Sequence, residues 1–313
     1  MAGHPGRDLR GGRASRYIRE RAAGEGSALS QVKDALAARG LSPRKRFGQN
    51  FLIRPDIAER IVELCHLRED DVAIEIGPGA GAITGRIASR VRHLIAVEKD
   101  AGLAELLREE LGDLPRLTLV EGDFLEYDLA AAAREHGVEK LAVVGNIPYN
   151  VTTPILERLF DQRAVVRSAV LLVQKEYAER LAAAAGTPEY GSLTLYARYH
   201  ALLEPLMTIK SPAFWPKPDV DSMLVRFLIR EKPPVTVTSE ALLFRIIRGS
   251  FQMRRKQLTN TLEEALGLGR EGVATLCRTA GIDSRRRGET LTLDEFAKLA
   301  NVAASRERKA LNG

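Results

Sequence analysis

Cysteine is nearly absent from this chain of 313 residues, which carries two, Cys65 and Cys277. They stand far apart and without metal-ligand spacing, which excludes a disulfide framework and predicts reduced thiols in a cytoplasmic protein. No run of about 20 apolar residues occurs, so no membrane span is expected. The basic, Gly-rich N-terminus also lacks the apolar core of a secretory signal. No glycine loop runs into Gly-Lys-Ser or Gly-Lys-Thr, which removes the phosphate cradle of nucleoside triphosphate sites. Nor does a catalytic Cys, a carboxylate pair or a metal cluster appear at suitable spacing, so no metal is expected. What remains is a chain 45% hydrophobic with a net charge of +6. That supports a full core in one large domain or two, and a polyanionic partner.

The organising stretch is 141–156, LAVVGNIPYNVTTPIL. Its apolar start, Leu141 to Val144, reads as a buried parallel strand delivering Gly145-Asn146-Ile147-Pro148-Tyr149-Asn150 at its C-terminal end, the edge at which open α/β sheets bind ligands. Asn146 brings an amide that donates and accepts, Pro148 stiffens the turn, and Tyr149 offers an aromatic face. Thr152 or Thr153 is expected to cap a helix that Pro154 opens. Such a turn suits a planar, amino-bearing ring, although a plain polar turn after a strand has the same residues.

Three earlier strands end in the same way. The strand at 71–76 feeds Gly77-Pro78-Gly79-Ala80-Gly81, where small residues let the backbone turn tightly and approach a ligand. The spacing is Gly-x-Gly-x-Gly rather than the Gly-x-Gly-x-x-Gly of dinucleotide sites. The strand at 93–97 runs into Glu98, placed to accept from both ribose hydroxyls and to disfavour a phosphorylated ribose. The strand at 117–120 leads to Asp123 and Phe124, an acceptor for an exocyclic adenine amino group and an apolar wall for its ring. Alternating strands and helices with polar strand ends predict a doubly wound sheet binding a nucleoside without pyrophosphate.

This combination resembles the class I S-adenosylmethionine-dependent methyltransferases, with their Rossmann-like α/β sheet. The Asn-Ile-Pro-Tyr turn resembles that of members methylating an exocyclic amino nitrogen. The nearest likeness is to the KsgA/RsmA family of small-subunit 16S rRNA adenine dimethyltransferases. Its strings stand here in order as RKRFGQNFL, EIGPGAGAIT, NIPYNVTTPIL, SPAFWPKPDVDS and FQMRRKQLTNTL, across residues 42–300. Ile147 stands where many members carry Leu, and Trp215 where a smaller residue is expected.

The resemblance implies the cofactor S-adenosyl-L-methionine, with Gln49, Asn50 and Leu52 lining its site. Gly77 and Gly79 would approach the methionine part, Glu98 the ribose and Asp123 the adenine. Asn146, with a backbone carbonyl near Ile147 or Pro148, would accept from the target amino group, and Tyr149 and Phe214 would stack on the base. The implied partner is 16S rRNA in the immature small ribosomal subunit, met by a monomer, with two adjacent adenosines near the 3′ end each dimethylated.

Residues 1–27 read as a disordered basic arm, 28–232 as the catalytic domain and 239–313 as a small helical RNA-binding domain. RNA contacts are expected from Arg44, Lys45 and Arg46, from Arg254, Arg255 and Lys256 at the start of a helix, and from Arg285 to Arg287. Two other functions fit: a large-subunit rRNA methyltransferase, or an RNA-binding assembly or transcription factor that keeps the pocket.

Overall fold

Short runs of Val, Ile, Leu and Ala fold as strands buried on both faces. In the computed structural model, which describes residues 28–44, 48–253 and 255–311, four such runs are β2 (Val72–Ile76), β3 (His93–Glu98), β5 (Leu141–Asn146) and β6 (Val166–Gln174). They join β4 (Leu117–Glu121), β7 (Ala201–Ile209) and β9 (Ser222–Ile229) in one sheet of order β4-β3-β2-β5-β6-β9-β7. The strands from β4 to β6 are parallel, and β9 runs antiparallel to β6 with Ser222 opposite Gln174. The chain leaves β2 toward β3 on one side and comes back through β5 on the other. The crevice at their carboxyl ends is therefore the topological switch point, where such sheets bind ligands. A separate two-stranded ladder joins β1 (Phe51–Leu52) to β8 (Phe214–Trp215).

Helices α1 (Ala28–Ala37), α2 (Pro55–Leu64), α3 (Thr84–Ala88), α4 (Ala101–Leu111), α5 (Leu129–Glu135) and α6 (Thr152–Asp161) accompany the sheet. Pro55 opens α2, where its missing N–H costs nothing, and Ala58, Ile61 and Val62 form the buried face. Asp100 caps α4 by accepting from Gly102 N–H at 3.0 Å, and Leu103, Leu106, Leu107 and Leu111 turn inward at helical spacing. Each such leucine contributes about 1.5–3 kcal/mol through the apolar surface it removes from water. Helix α6 begins at Thr152, two residues before the expected Pro154 start, and the Thr152 hydroxyl donates back to the Tyr149 carbonyl at 3.1 Å.

The chain divides into two compact units. The first comprises the described residues through Lys175 together with Glu204–Ile229. The second takes Glu176–Leu203 and the described residues from Arg230 onward. Residues 176–203 thus cluster with the helical unit, not with the sheet as the expected 28–232 boundary had it. Their side chains explain the transfer: Tyr190, Leu195 and Tyr199 share one apolar core with Leu243, Ile247, Leu262 and Phe296.

The second unit contains α7 (Lys175–Ala182) but for its first residue, α8 (Ser192–His200), α9 (Glu240–Gln252), α10 (Leu258–Leu266), α11 (Arg270–Thr279) and α12 (Leu293–Leu311). At the start of α12, Thr292 N–H donates to Glu295 Oε2 at 2.9 Å, and Glu295 N–H donates to Thr292 Oγ1 at 3.3 Å. That is the capping box expected of Thr-x-x-Glu. Among the described residues, no helix is long and apolar enough to cross a membrane. The expected arm, 1–27, lies outside the described residues.

Candidate active site

A cavity of about 310 Å³ opens at the switch point and is lined by residues from the first unit alone. One side of it is built from strand ends. Gly77 follows β2 with φ of 61°, a left-handed backbone where any other residue would be strained, and a Cβ there would point into open space. Gly79 has φ of 59° and sits against the Phe51 ring, 3.3 Å from where its Cβ would be. The loop is anchored by Glu98 at the end of β3. Its Oε2 accepts from Gly79 N–H at 3.0 Å and its Oε1 from Asp100 N–H at 2.9 Å. Burial pushes the Glu98 carboxyl pKa up, against the two N–H groups that favour ionisation. Beyond β4, Asp123 Oδ1 accepts from Leu125 N–H at 3.0 Å, and Oδ2 pairs with Lys99 Nζ at 2.5 Å. Burial opposes ionisation of Asp123, but Lys99 and the Leu125 N–H outweigh it and hold the pKa below the usual carboxylate value.

One further carboxyl group lies deeper. Glu75 in β2 is 1% exposed, reaches the cavity wall, and has no hydrogen-bond partner for Oε2. Burial, with Glu98 nearby, raises its pKa to about 8, so the proton stays on through neutral pH. The lining therefore holds four carboxyl groups, Glu75, Glu98, Asp100 and Asp123, against the single amine of Lys99. With Glu75 protonated, the other three carboxyl groups still outnumber that amine, and such a wall repels phosphates and suits a ligand carrying positive charge.

The other side is the turn after β5. Gly145 fits where a Cβ would stand 3.1 Å from Ile76 Cβ, so the ends of β2 and β5 can close together beneath the cavity. Asn146, Ile147, Pro148 and Tyr149 all line it. Asn146 Nδ2 donates to the Asn50 carbonyl at 3.2 Å. The Tyr149 hydroxyl shares a 2.7 Å hydrogen bond with Ser222 Oγ at the start of β9, which fixes the edge of its ring. Ser222 is fully buried, and the Asp221 carboxylate beside it accepts from Ser211 N–H at 3.0 Å. The SPAFWPKPDVDS string therefore reaches the site through Ser222, which sequence reasoning did not single out.

Phe214 was expected to stack on the base. It is 3% exposed, packs among Leu52, Ala213 and Leu224, and is absent from the cavity lining. Its β8 partner Trp215 is the more open ring, stacked on Phe51 at 6.4 Å with Lys33 Nζ 5.3 Å from its centre. Pairing of β8 with β1 turned Phe214 inward, and no local signal in the sequence announces that pairing. Gln49, Asn50 and Leu52 do line the cavity. Gln49 Nε2 donates to Asp100 Oδ2 at 3.2 Å, and Arg44 pairs with the same oxygen at 3.2 Å. Asp100, readable only as a helix cap, thus also ties down the segment before β1.

The expected RNA contacts fare unevenly. Lys45, Arg46 and Arg254 lie outside the described residues. Arg255 and Lys256 are exposed, but α10 begins at Leu258, so they precede the helix and do not open it. Arg285 is spent on Asp283, and Arg286 on Glu295 and the Thr290 carbonyl. Of the two, Arg286 braces the entrance to α12.

Comparison with known proteins agrees with this geometry. Residues 40–305 match the family model for ribosomal RNA adenine dimethylase. The chain is 42% identical over 279 residues to ribosomal RNA small subunit methyltransferase A of Geobacillus kaustophilus, covering 88% of this chain and 95% of that one. It is equally similar, 42% over 275 residues, to the protein of that name from Geobacter metallireducens, with 88% and 98% covered. Among solved structures, the 23S rRNA methyltransferase ErmE superposes with a TM-score of 0.63 at 26% identity, covering 82% of this chain and all of that one. A dimethyladenosine transferase from Plasmodium falciparum gives 0.67 at 21% identity over 82% and 97%, a likeness of fold. This chain belongs to the ribosomal RNA adenine dimethylase family.

Proposed function

We propose that this protein uses S-adenosylmethionine to dimethylate the exocyclic amino group of adenosines in small-subunit rRNA, acting in the cytoplasm on the 16S rRNA of immature subunits. Two adjacent adenosines near the 3′ end are the expected targets. The observation that carries this reading is a single cavity joining a nucleoside-binding set of strand ends to the Asn146–Tyr149 turn. The lining fits the cofactor: it is acidic where a phosphate would need cations, and Gly77 leaves open space beside the loop. When bound, S-adenosylmethionine supplies an electrophilic sulfonium methyl group. The residues toward it would be Gly77, Gly79, Gln49, Asn50, Leu52 and Asn146, with Glu98 for the ribose and Asp123 for the adenine. Each Glu98 oxygen accepts one backbone N–H and keeps a second lone pair for a ligand hydroxyl.

An adenine amino nitrogen is a poor nucleophile because its lone pair is delocalised into the ring. Asn146 Oδ1 and the carbonyl of Ile147 or Pro148 accept its two hydrogens and favour a pyramidal nitrogen with a localised lone pair. Pro148 O already accepts from Val151 N–H at 3.2 Å, which fixes its direction. Tyr149, its ring pinned through Ser222, stacks on the base. Positioning and electrostatics of this kind lower a barrier by several kcal/mol without a strong general base. A base must leave its stack to reach the cavity, at a cost of a few kcal/mol that is smallest in a loop or single strand.

The test is incubation of pure protein with methyl-labelled S-adenosylmethionine and immature small subunits, with large subunits in parallel. Label is expected in dimethyladenosine of the small subunit. Label only in the large subunit would move the target, and label in neither would leave an RNA-binding role. Arg255 and Lys256 are proposed as phosphate contacts. Changing both to Glu is expected to weaken RNA binding and reduce its salt slope by about 1–2, with cofactor affinity unaltered, as measured by RNA titration across salt concentrations.

A further inference from the structure

One strap, residues 48–52, touches both sides of the cavity. Gly48 has φ of 59°, and a Cβ there would lie 3.3 Å from Pro148 Cβ. Gln49 holds Asp100 at 3.2 Å. The Asn50 side chain donates to the Gly48 carbonyl at 3.1 Å, which closes the turn of the strap on itself. Its main-chain carbonyl accepts from Asn146 Nδ2 at 3.2 Å. Phe51 then lies against Gly79, and Leu52 is buried in the ladder with Phe214.

A carboxamide has one accepting end and one donating end, and a half-turn about its last side-chain bond exchanges them. An adenine amino group offers N–H donors, so Asn146 serves it only with Oδ1 forward. The donor end forward would set donor against donor. The Asn146 side chain has no preference of its own between the two. We propose that the Asn50 main-chain carbonyl, presented by the Gly48–Leu52 strap, is a positioning group for methyl transfer. It engages the donor end of the Asn146 amide and leaves Oδ1 as the end offered to the target amine. This inference rests on the reading of Asn146 as the methyl-acceptor clamp. It gives the strap a task in turnover, beyond lining the cofactor site. Gly48 shares that task, because its lack of a side chain lets the strap lie against Pro148 at the distance the hydrogen bond requires.

The test compares three variants with the full-length wild type for turnover on small subunits, RNA KM and cofactor Kd. Asn146→Asp keeps an accepting oxygen but, when ionised, has no donor for the Asn50 carbonyl. Its turnover is expected to fall at least about tenfold near pH 8, with cofactor Kd changing less. A protonated carboxyl regains an O–H donor, and a facing carbonyl favours that form. The deficit relative to wild type is therefore expected to narrow as pH falls toward about 5.5. Gly48→Ala is expected to lower kcat more than it alters RNA KM or cofactor Kd. Asn146→Asp within about threefold of wild type near pH 8, or equally impaired at both pH values, overturns the proposal. Gly48→Ala with wild-type kcat removes the strap from it. Asn146→Ala separates the two levels of failure. If that variant turns over normally the reading of Asn146 itself falls, whereas an inactive Ala variant beside a fully active Asp variant sinks only the role of Asn50.

Discussion

The side of the cavity proposed for the methyl donor is assembled from strand ends that follow one another in the chain: Gly77 after β2, Glu98 at the end of β3, and Asp123 after β4. The side proposed for the methyl acceptor has its residues more tightly spaced, from Asn146 to Tyr149, but its supports come from far away. The Asn146 amide is held by the Asn50 carbonyl and the Tyr149 hydroxyl by Ser222. Binding a nucleoside demands a fixed cradle, and adjacent parallel strands supply one through their own ladder. Orienting a single nitrogen demands that an amide and a ring each be locked about a side-chain bond, which adjacent backbone cannot do. The difference predicts that damage to the donor side shows in cofactor affinity, and damage to the acceptor side in turnover.

Asn146→Ala gives the largest expected effect. Removing the accepting oxygen should cost about a hundredfold or more in kcat with a smaller change in cofactor Kd, measured by single-turnover methylation and calorimetry. A larger change in Kd than in kcat would break the comparison. Glu98→Gln is the mirror experiment. An amide at this position replaces one of the two accepting oxygens by a donor and leaves Gly79 or Asp100 N–H unpaired. A cofactor Kd raised about tenfold or more is expected, with kcat at saturation changed less.

Tyr149→Phe sharpens the acceptor side. It keeps the ring and leaves buried Ser222 without its partner, at a cost of about 1–2 kcal/mol in stability by denaturant titration. Turnover should fall less than in Asn146→Ala, since the stacking face survives. Glu75→Gln has the smallest effect on function and is read in the pH dependence of stability. The folded-state pKa of Glu75, about 8, lies above its ordinary value of 4.5. Between the two, the unfolded chain has lost a proton that the folded protein keeps, so the wild type loses stability as pH rises through that window. The variant should lack this contribution, up to about 1.4 kcal/mol per pH unit. Identical pH slopes in both proteins would show that Glu75 is ionised in the fold.

Much of this was legible in the residues. The glycine loop, Glu98, Asp123 and the Asn146–Tyr149 turn all carry their signal locally, as a strand followed at once by a functional side chain, and the structure brings them to one cavity. Phe214 could not be placed from its string, which shows a proline-stiffened loop, and such a loop can present a ring or bury it. The β1–β8 ladder, joining positions more than 160 residues apart, buried it. Residues 176–203 were misassigned for a similar reason. Helical or strand periodicity marks an apolar face but not the face it packs against, and Tyr190 found its partners in the later helices. The Arg-Arg-Lys run was read as the start of a helix, but the helix begins at Leu258, after Arg255 and Lys256.

The sequence by itself determined the alternation of strand and helix, the chemistry waiting at each strand end, and the family, because those depend on neighbours within a few positions. Only the tertiary structure decided which way the Asn146 amide faces, which partner pins Tyr149, and whether Phe214 meets the cavity or the core. Side-chain rotation settles the first two and strand pairing the third, and each is biased by groups such as the Asn50 carbonyl, Ser222 Oγ and β1, which folding brings there from distant parts of the chain.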